Sequence, residues 1–313
     1  MRSSQRSVAT ALVGVALLAG ITAMLAHHRH DFAQAVGTVP LVSLLAAIVL
    51  HVVTVVARTE AWVVSVRAAG AGTERRALFQ IGSVGFAANV ISSSIGAALR
   101  IWALRRKDGA NVPSAPALVA AEVPVLAIQL ILTGFMAFSL SGPLGAPWWT
   151  APAILCVAIA VLLVLMRAGR RFSGLAALRN SRARWRMAAM VVVVAACETA
   201  RNLVLLRAVG LPANGFDAMA LLVGAGVVGI LPIGPGSTAG AAMLIFGTAG
   251  VGPAAAAGLL LTATGFAADL AYAGWGLADM FWRACPKRAR RAPQVVDLGA
   301  ALGFVAAAAV LVT

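Results

Sequence analysis

The sequence predicts an all-α, polytopic integral membrane protein. Of its 313 residues, 61% are hydrophobic and only 11% are charged, and the mean hydropathy is +0.93. A soluble domain carries roughly 25% charged residues, so this deficit indicates that much of the surface faces lipid. Ala and Gly are abundant, and small residues allow helices in lipid to approach one another closely.

The formal net charge of +15 is distributed in short segments between the apolar runs. This pattern is typical of cytoplasmic loops in membrane proteins, and it argues against nucleic-acid binding. The cysteines lie in apolar runs or in a basic loop, so we expect no disulfide framework. They are Cys156, Cys197 and Cys285.

Seven apolar runs are long enough, at about 20 residues, to cross a bilayer as helices. The first follows Arg2 and Arg6. Its apolar stretch exceeds the roughly 7–15 residues of a signal-peptide core, and we expect it to be retained. We expect residues 1–313 to form a single transmembrane domain. Its first half lies at about 8–140 and its second half at about 149–282, and an extra C-terminal span follows. The predicted spans are 8–26, 40–57, 115–140, 149–166, 187–209, 254–278 and 295–313.

Two further apolar segments carry helix-breaking residues. Residues 77–99 contain Asn89, three consecutive serines and Gly96, and residues 217–250 contain LPIGPG at 231–236. The halves of the second segment, about 14 residues each, are too short to span. Broken backbone at this depth is tolerated where it lines a cavity or is buried in protein. Both segments therefore predict re-entrant hairpins, with a single tilted helix as the alternative for residues 77–99.

The loop charges orient these segments. Basic residues flank 77–99 on both sides, so both flanks should be cytoplasmic. Residues 141–148 carry no basic residue, whereas residues 167–186 carry seven and residues 283–291 carry five. This alternation predicts a cytoplasmic N-terminus and a second hairpin that enters from outside. Two hairpins from opposite sides are typical of an inverted-topology repeat with a binding site between its halves.

Several motifs are similar to those of a known family. RTEAW at 58–62, Asn89, IGAALR at 95–100 and LPIGPGSTAG at 231–240 resemble signatures of the lysylphosphatidylglycerol synthase transmembrane-region family, and the similarity extends from about residue 8 to 282. The resemblance implies a flippase-like membrane module that moves an anionic or aminoacylated lipid between leaflets. We expect the chain to lie in a bacterial inner membrane.

The chain departs from the family pattern at three places. Ser93-Ser94 stand where the family has Pro-Gly, Ala241-Ala242 stand where it has an acidic residue, and Val123 stands where an Arg follows the acid. These differences bear on the substrate. No long polar segment is present to house an aminoacyl-transferase domain, so we expect that lipid synthesis is not a function of this chain.

Ionisable residues inside predicted spans are costly and are candidates for function. Glu198 and Arg201 are spaced i,i+3 and can meet on one helix face; a self-neutralising pair is the structural alternative. Asp269 and Glu122 lie in spans with no basic neighbour on their own helix. Each needs a partner from another helix, and Arg100 and Arg201 are available.

The remaining candidates lie at the two broken segments. A planar guanidinium at Arg100 suits a lipid phosphate, although Arg100 also fits a topology-setting loop. Gly234 and Gly236 offer backbone amides at the start of a half-helix, where anions bind; a packing turn is the alternative. Asn89 and Arg100 are further implied by the family motif. The predicted substrate-binding set is Arg100, Asn89, Glu122, Glu198, Arg201, Gly234, Gly236 and Asp269.

Three functions remain open at this point: a flippase for a lipid or lipid carrier, a secondary transporter of a small anion that uses Glu122 or Asp269 as an ion site, and a membrane component of polyprenyl-linked glycan synthesis. No catalytic constellation stands out, so we expect no enzyme activity. We expect no cofactor, membrane lipids as partners and no nucleic acid. The cluster HHRHD at 27–31 resembles a metal site, but no second cluster complements it, and we expect no metal.

Overall fold

The computed structural model describes residues 29–89, 93–142, 145, 147–168, 172–228, 236–247 and 250–288. The predicted spans at 8–26 and 295–313 lie outside this part of the chain. The regular elements within it are helical. The α-helices are α1 (Arg29–Gly37), α2 (Leu41–Ala68), α3 (Arg75–Asn89), α4 (Ser93–Asp108), α5 (Ala115–Ala120), α6 (Val123–Met136), α7 (Thr150–Ala168), α8 (Ala176–Arg179), α9 (Ser181–Ala208), α10 (Gly215–Val228), α11 (Gly236–Phe246) and α12 (Val251–Arg288).

Five helical stretches are long and apolar enough to cross a membrane, and they match the five predicted spans that lie in the described residues. The chain is a polytopic α-helical membrane protein, as predicted. The first of the five is longer than expected, because the helix continues from residue 57 to Ala68. The stretches are Leu41–Ala68, Ala115–Ser141, Thr150–Arg167, Ser181–Ala208 and Val251–Trp282.

The described part of residues 77–99 belongs to two helices that form a hairpin, and not to one tilted helix. Helices α3 and α4 have 15 and 16 residues, about 23 Å each, which is short of the roughly 30 Å hydrocarbon core. They run antiparallel, since Gly85 of α3 faces Arg100 of α4 while Asn89, later in α3, faces the earlier Gly96. The Gly72 amide before the hairpin donates to the Asn111 carbonyl after it (3.1 Å). Both flanks therefore lie at one end of the molecule.

The second hairpin opens at the other end. Helix α9 packs antiparallel on α2, because Arg186 meets Glu60 and Glu198 meets His51. The C-terminus of α9 therefore lies beside the N-terminus of α2. Helices α10 and α11 have 14 and 11 residues, and Val209 before them shares a cavity with residues 250–253 after them. The two hairpins enter from opposite ends, as the loop charges predicted.

The helices that precede the two hairpins end in the same way. Both α2 and α9 have 28 residues, and both are followed by a glycine with positive φ, Gly70 (107°) and Gly210 (84°). The next amides, of Ala71 and Leu211, donate back to Val66 and Leu206 at 3.2 and 3.0 Å. This left-handed glycine cap stops a helix sharply. The same cap on two antiparallel helices supports an inverted repeat.

We call the end of the molecule that holds Gly72 and Asn111 the basic end, since the arginines at the ends of α3, α4 and α9 lie there. The other end is called the opposite end. We expect the basic end to be cytoplasmic. Glu74→Cys and Lys107→Cys flank the first hairpin at exposed positions, and Gln34→Cys lies exposed in α1 at the opposite end. The native cysteines would first be replaced by serine.

With a membrane-impermeant thiol reagent on intact cells, Gln34→Cys should be labelled, while Glu74→Cys and Lys107→Cys should be labelled only after the cells are lysed. Labelling of one of the two hairpin flanks but not the other in intact cells would contradict the hairpin.

Candidate functional site

The first polar site is built around Arg100, at the start of the basic half of α4. Its side chain lies against α3, where Gly85 leaves room for it: a Cβ at Gly85 would collide with the aliphatic part of Arg100. A glycine at this position therefore allows α4 to pack on α3 with a guanidinium between them. The Arg100 side chain is 11% exposed.

The Arg100 guanidinium lies between two aromatic rings and one carboxylate. Its carbon is 5.4 Å from the centroid of the Trp62 ring and 5.7 Å from that of Phe86. Such cation–π contacts hold a guanidinium without saturating its donors. Its Nη2 is 3.4 Å from Glu122 Oε1, and neither Arg100 Nε nor Glu122 Oε1 has a hydrogen-bond partner among the described residues. The pair is matched in charge but incompletely hydrogen-bonded.

Glu122 occupies a break between α5 and α6 and not the middle of a continuous helix. Pro124 lacks the amide that would bond to Ala120, which interrupts the helix at this point. The Ala121 carbonyl accepts a hydrogen bond from the Ser65 hydroxyl (2.5 Å), so the break is fixed to α2. Glu122 was predicted to need an arginine from another helix, and its partner is Arg100.

Asn89 ends α3 at the tip of the first hairpin. Its Oδ1 is buried without a hydrogen-bond partner among the described residues. Gly96 of α4 approaches so closely that a Cβ there would collide with the Asn89 side chain. An unsatisfied buried amide oxygen is costly, and here it lies on the same hairpin as Arg100.

A second polar site lies toward the opposite end, where α2, α9 and α12 meet. Arg201 Nη1 donates to Glu198 Oε2 at 2.9 Å, so the predicted i,i+3 pair forms. Arg201 Nη2 donates to the Leu261 carbonyl of α12. The side chains of Arg201 and Glu198 are only 6% and 9% exposed. Their burial is tolerated because each charge has a close partner.

His51 of α2 completes this site, and we call the site the histidine cluster (His51, Glu198, Arg201 and Asp269). His51 Nδ1 is 2.9 Å from Glu198 Oε1, and His51 Nε2 is 3.5 Å from Asp269 Oδ1. Asp269 was expected to pair with an arginine, but its ion-pair partner is a histidine. Arg201 is already engaged by Glu198, which explains the difference.

Further ion pairs join the helices at the basic end. Glu60 of α2 accepts from Arg75 of α3 at 2.8 Å and from Arg186 of α9 at 2.5 Å. Asp279 of α12 accepts from Arg76 and from Gln80 of α3, the latter at 2.6 Å. These contacts connect the open end of the first hairpin to the two long helices beside it.

Aromatic packing extends from the Arg100 site toward the histidine cluster. Tyr272 lies almost one turn beyond Asp269 on α12, and its hydroxyl donates to Thr59 Oγ1 (3.2 Å). The Tyr272 ring meets Phe86 edge-on, with centroids 6.1 Å apart, and Phe86 lies beside the Arg100 guanidinium. Packed side chains therefore extend from Arg100 to Tyr272, which is three residues after Asp269 on the same helix.

A groove runs along the seam between α4 and α5, on the outer surface of the helix bundle. Its volume is about 580 Å³. Trp102 and Val119 on its two walls are 46% and 57% exposed. Arg100 follows Ala98 by two residues and Glu122 follows Val119 by three, so the Arg100–Glu122 pair is close in sequence to residues on both sides of the groove. The groove is lined by Ala98, Ile101, Trp102, Arg105, Arg106, Gly109, Ala115 and Val119.

The eight predicted residues do not converge on one place. Arg100 and Glu122 form the first site, and Asn89 lies on the same hairpin as Arg100, while Glu198, Arg201 and Asp269 belong to the histidine cluster. Gly236 is the first residue of α11, as expected for the start of a half-helix. Gly234 lies outside the described residues, as do His27 and His28 of the HHRHD cluster.

Sequence reasoning missed His51, Trp62, Phe86 and Glu60 as site residues. His51 carried a usable signal, because an imidazole inside an otherwise apolar span falls under the same rule that selected Glu198 and Asp269. Trp62 and Glu60 lie within the RTEAW motif, but only the fold shows what they contact.

Most of the chain matches a known protein family. Residues 11–271 match the family described as the lysylphosphatidylglycerol synthase TM region, and this range includes both hairpins and both polar sites. Neither curated proteins nor solved structures gave a significant match. The match extends over well more than half of the sequence, and the chain belongs to the lysylphosphatidylglycerol synthase transmembrane-region family.

Proposed function

We propose that this chain is a lipid flippase-like protein that moves an anionic or aminoacylated phospholipid, or a phosphate-linked lipid carrier, between the leaflets of a bacterial inner membrane. Family membership supports the general class. The observation that carries the proposal is the groove between α4 and α5, because it opens on the bundle surface and its lining residues Ala98 and Val119 lie within three residues of the buried Arg100–Glu122 pair.

The groove has the chemistry of a lipid entrance. Ile101, Trp102 and Val119 are apolar and suit acyl chains, while Arg105 and Arg106 lie at its basic end, where we expect the phosphates of the adjacent leaflet. Arginines attract anionic lipid headgroups electrostatically. A transporter of a small soluble anion needs no such lateral opening, which favours a lipid as the substrate.

Arg100 is the proposed phosphate ligand inside. Its ion pair with Glu122 spans 3.4 Å and leaves Arg100 Nε without a hydrogen bond. A phosphate offers a bidentate partner to a guanidinium, so it competes favourably with this incompletely bonded carboxylate. In this proposal, Glu122 neutralises Arg100 in the empty protein and is displaced when the headgroup arrives.

The two hairpins give the proposal its alternating access. One enters from the basic end and the other from the opposite end, and a headgroup passes between the two hairpins. In the family of inverted-repeat transporters, access alternates when one repeat moves against the other around a fixed site. The chain makes and breaks no covalent bond in this scheme, and its partner is the lipid itself. The basic end and the N-terminus are cytoplasmic.

The test is Arg100→Lys in proteoliposomes. A Lys ammonium keeps the charge but acts as a point charge and cannot bind two phosphate oxygens as a planar fork. Losing a charge-assisted hydrogen bond of about 1.5–3 kcal/mol should slow translocation roughly tenfold or more. The measurement is the rate at which a fluorescent anionic phospholipid becomes accessible to an impermeant quencher.

Arg67→Lys is the matched control, since Arg67 is exposed at the end of α2, and it should translocate lipid at the wild-type rate. Full activity of Arg100→Lys would contradict the phosphate ligand. Uptake of a soluble anion by wild-type protein that moves no lipid would instead support the small-anion transporter.

A further inference from the structure

We infer that His51 and Asp269 form a proton-binding site that couples proton movement to lipid translocation; this inference rests on the proposed function and supplies its energy source. The Arg100 site recognises the headgroup, and the histidine cluster has a separate role. On α2, His51 lies 11 residues before Trp62, which places the two sites about 16 Å apart along the helix.

The environment of His51 Nδ1 accommodates two protonation states. This atom is 2.9 Å from Glu198 Oε1, an acceptor, and 2.6 Å from Arg201 Nη1, a donor. In the neutral ring Nδ1 accepts from Arg201, and the proton on Nε2 points toward Asp269. In the charged ring Nδ1 donates to Glu198 and Nε2 again faces Asp269. In either state Nδ1 has a hydrogen-bonding partner and Nε2 faces the Asp269 carboxylate, so gain and loss of a proton leave neither ring nitrogen without a polar neighbour.

The contact between His51 and Asp269 is long and incompletely hydrogen-bonded. The distance from His51 Nε2 to Asp269 Oδ1 is 3.5 Å, and Asp269 Oδ1 has no hydrogen-bond partner among the described residues. A protonated imidazole attracts this carboxylate far more strongly than a neutral one does at low dielectric. Proton binding therefore draws α12 toward α2, and these helices belong to different halves of the inverted repeat.

The charges around His51 set the sign of the coupling. Arg58 lies on α2 itself and acts electrostatically on Glu198 and Arg201. Cys197 is a neutral neighbour of Glu198 on α9. The guanidinia of Arg58 and Arg201 and the carboxylates of Glu198 and Asp269 cancel in charge while His51 is neutral. Protonation of His51 then leaves one net positive charge. A singly negative headgroup compensates that charge, so a proton and an anionic lipid are favoured together.

The geometry favours a proton over a metal or sodium ion as the coupling species. Arg201 occupies Glu198 Oε2 at 2.9 Å, and His51 occupies the other carboxylate oxygen. A sodium ion needs several oxygen ligands, and the two carboxylates here are separated by an imidazole. Among the described residues, no group of His, Cys, Asp and Glu side chains has a metal-binding arrangement.

Packing provides the route by which protonation reaches the lipid site. Gly265 of α12 lies against both His51 and Arg201, with a virtual Cβ 3.3 Å from Arg201 Nη2, so movement of α12 changes the cluster directly. Tyr272 on the same helix contacts Phe86, which lies beside Arg100. A shift of α12 at Asp269 is thereby transmitted to the Arg100 site.

The first experiment measures proton binding without requiring translocation. Proteoliposomes adsorbed on a solid-supported membrane are exposed to a pH jump, and the transient charge movement is recorded. Wild-type protein should give a clear transient. In His51→Gln and in Asp269→Asn the transient should be about tenfold smaller, within the range of typical site coupling. His30→Gln, at an exposed position in α1, should keep it.

The second experiment measures translocation of the fluorescent anionic phospholipid with and without a pH gradient. Translocation toward the alkaline side should be about tenfold faster with the gradient in wild type, and insensitive to it in His51→Gln. Size-exclusion profiles check that each variant is folded. If His51→Gln is not folded, Asp269→Asn is used in its place. Wild-type translocation that ignores the gradient, or a full transient in folded His51→Gln, overturns the coupling and leaves the flippase proposal intact. Absence of lipid movement alongside a normal transient rejects the flippase proposal instead.

Discussion

Replacing Glu198 by Leu should remove most of the folded protein, whereas replacing Glu198 and Arg201 together should restore much of it. The single variant leaves the Arg201 guanidinium, 6% exposed in the native protein, without its carboxylate. Removing one partner of a buried ion pair costs about 3–5 kcal/mol. In the double variant the uncompensated charge is gone, and His51 retains Asp269 as its partner.

The measurement is folded yield and thermal stability, read from the monodisperse size-exclusion peak after heating. Ala196→Leu is the control, because Ala196 is exposed on the same helix and should tolerate the larger side chain. If the double variant is no more stable than Glu198→Leu, the two charges do not compensate each other. The pair would then act as two independent contacts.

Replacing Gly258 by Leu should displace the second hairpin from α12. A Cβ at Gly258 would lie 2.7 Å from the Ala239 amide nitrogen and 2.8 Å from the Thr238 carbonyl oxygen of α11. These are backbone atoms, so no flexible side chain can move aside. Overpacking of this kind costs about 1–3 kcal/mol and occasionally more, and it should lower both stability and translocation.

Gly274→Leu is the matched control on the same helix. Nothing lies within 4 Å of a Cβ at Gly274, and leucine has the higher helix propensity, so stability should stay the same or rise. Equal loss in both variants would show that α12 tolerates no bulk anywhere. Equal tolerance of both would contradict the close approach of α11 to α12.

The hairpins were predictable because their signals are local. Basic residues on both flanks of residues 77–99 indicated a segment that returns to the same side, and the hydrogen bond between Gly72 and Asn111 agrees. The broken centre at residues 231–236 similarly predicted two half-helices, and α11 begins at Gly236. Element ends were less predictable, because α2 continues past three charged side chains to Ala68. One of them, Glu60, is balanced there by Arg75 and Arg186.

The site was predictable residue by residue but not in its grouping. The rule that ionisable groups inside a span need partners selected Glu122, Glu198 and Asp269, and each has one. The i,i+3 pair of Glu198 and Arg201 follows from helix geometry alone. The partner of Asp269 did not follow, since spacing on one helix carries no information about which face of another helix it meets.

By itself, the sequence determined the membrane class, the spans in the described region and the opposite entry of two hairpins, because hydropathy and loop charge act along the chain. Only the tertiary structure decided that Arg100 lies between Trp62 and Phe86, and that His51 stands between two carboxylates. These arrangements depend on how closely helices approach, and glycines such as Gly85 and Gly265 permit that approach. The packing of helices distant in sequence therefore divided the polar residues into two sites.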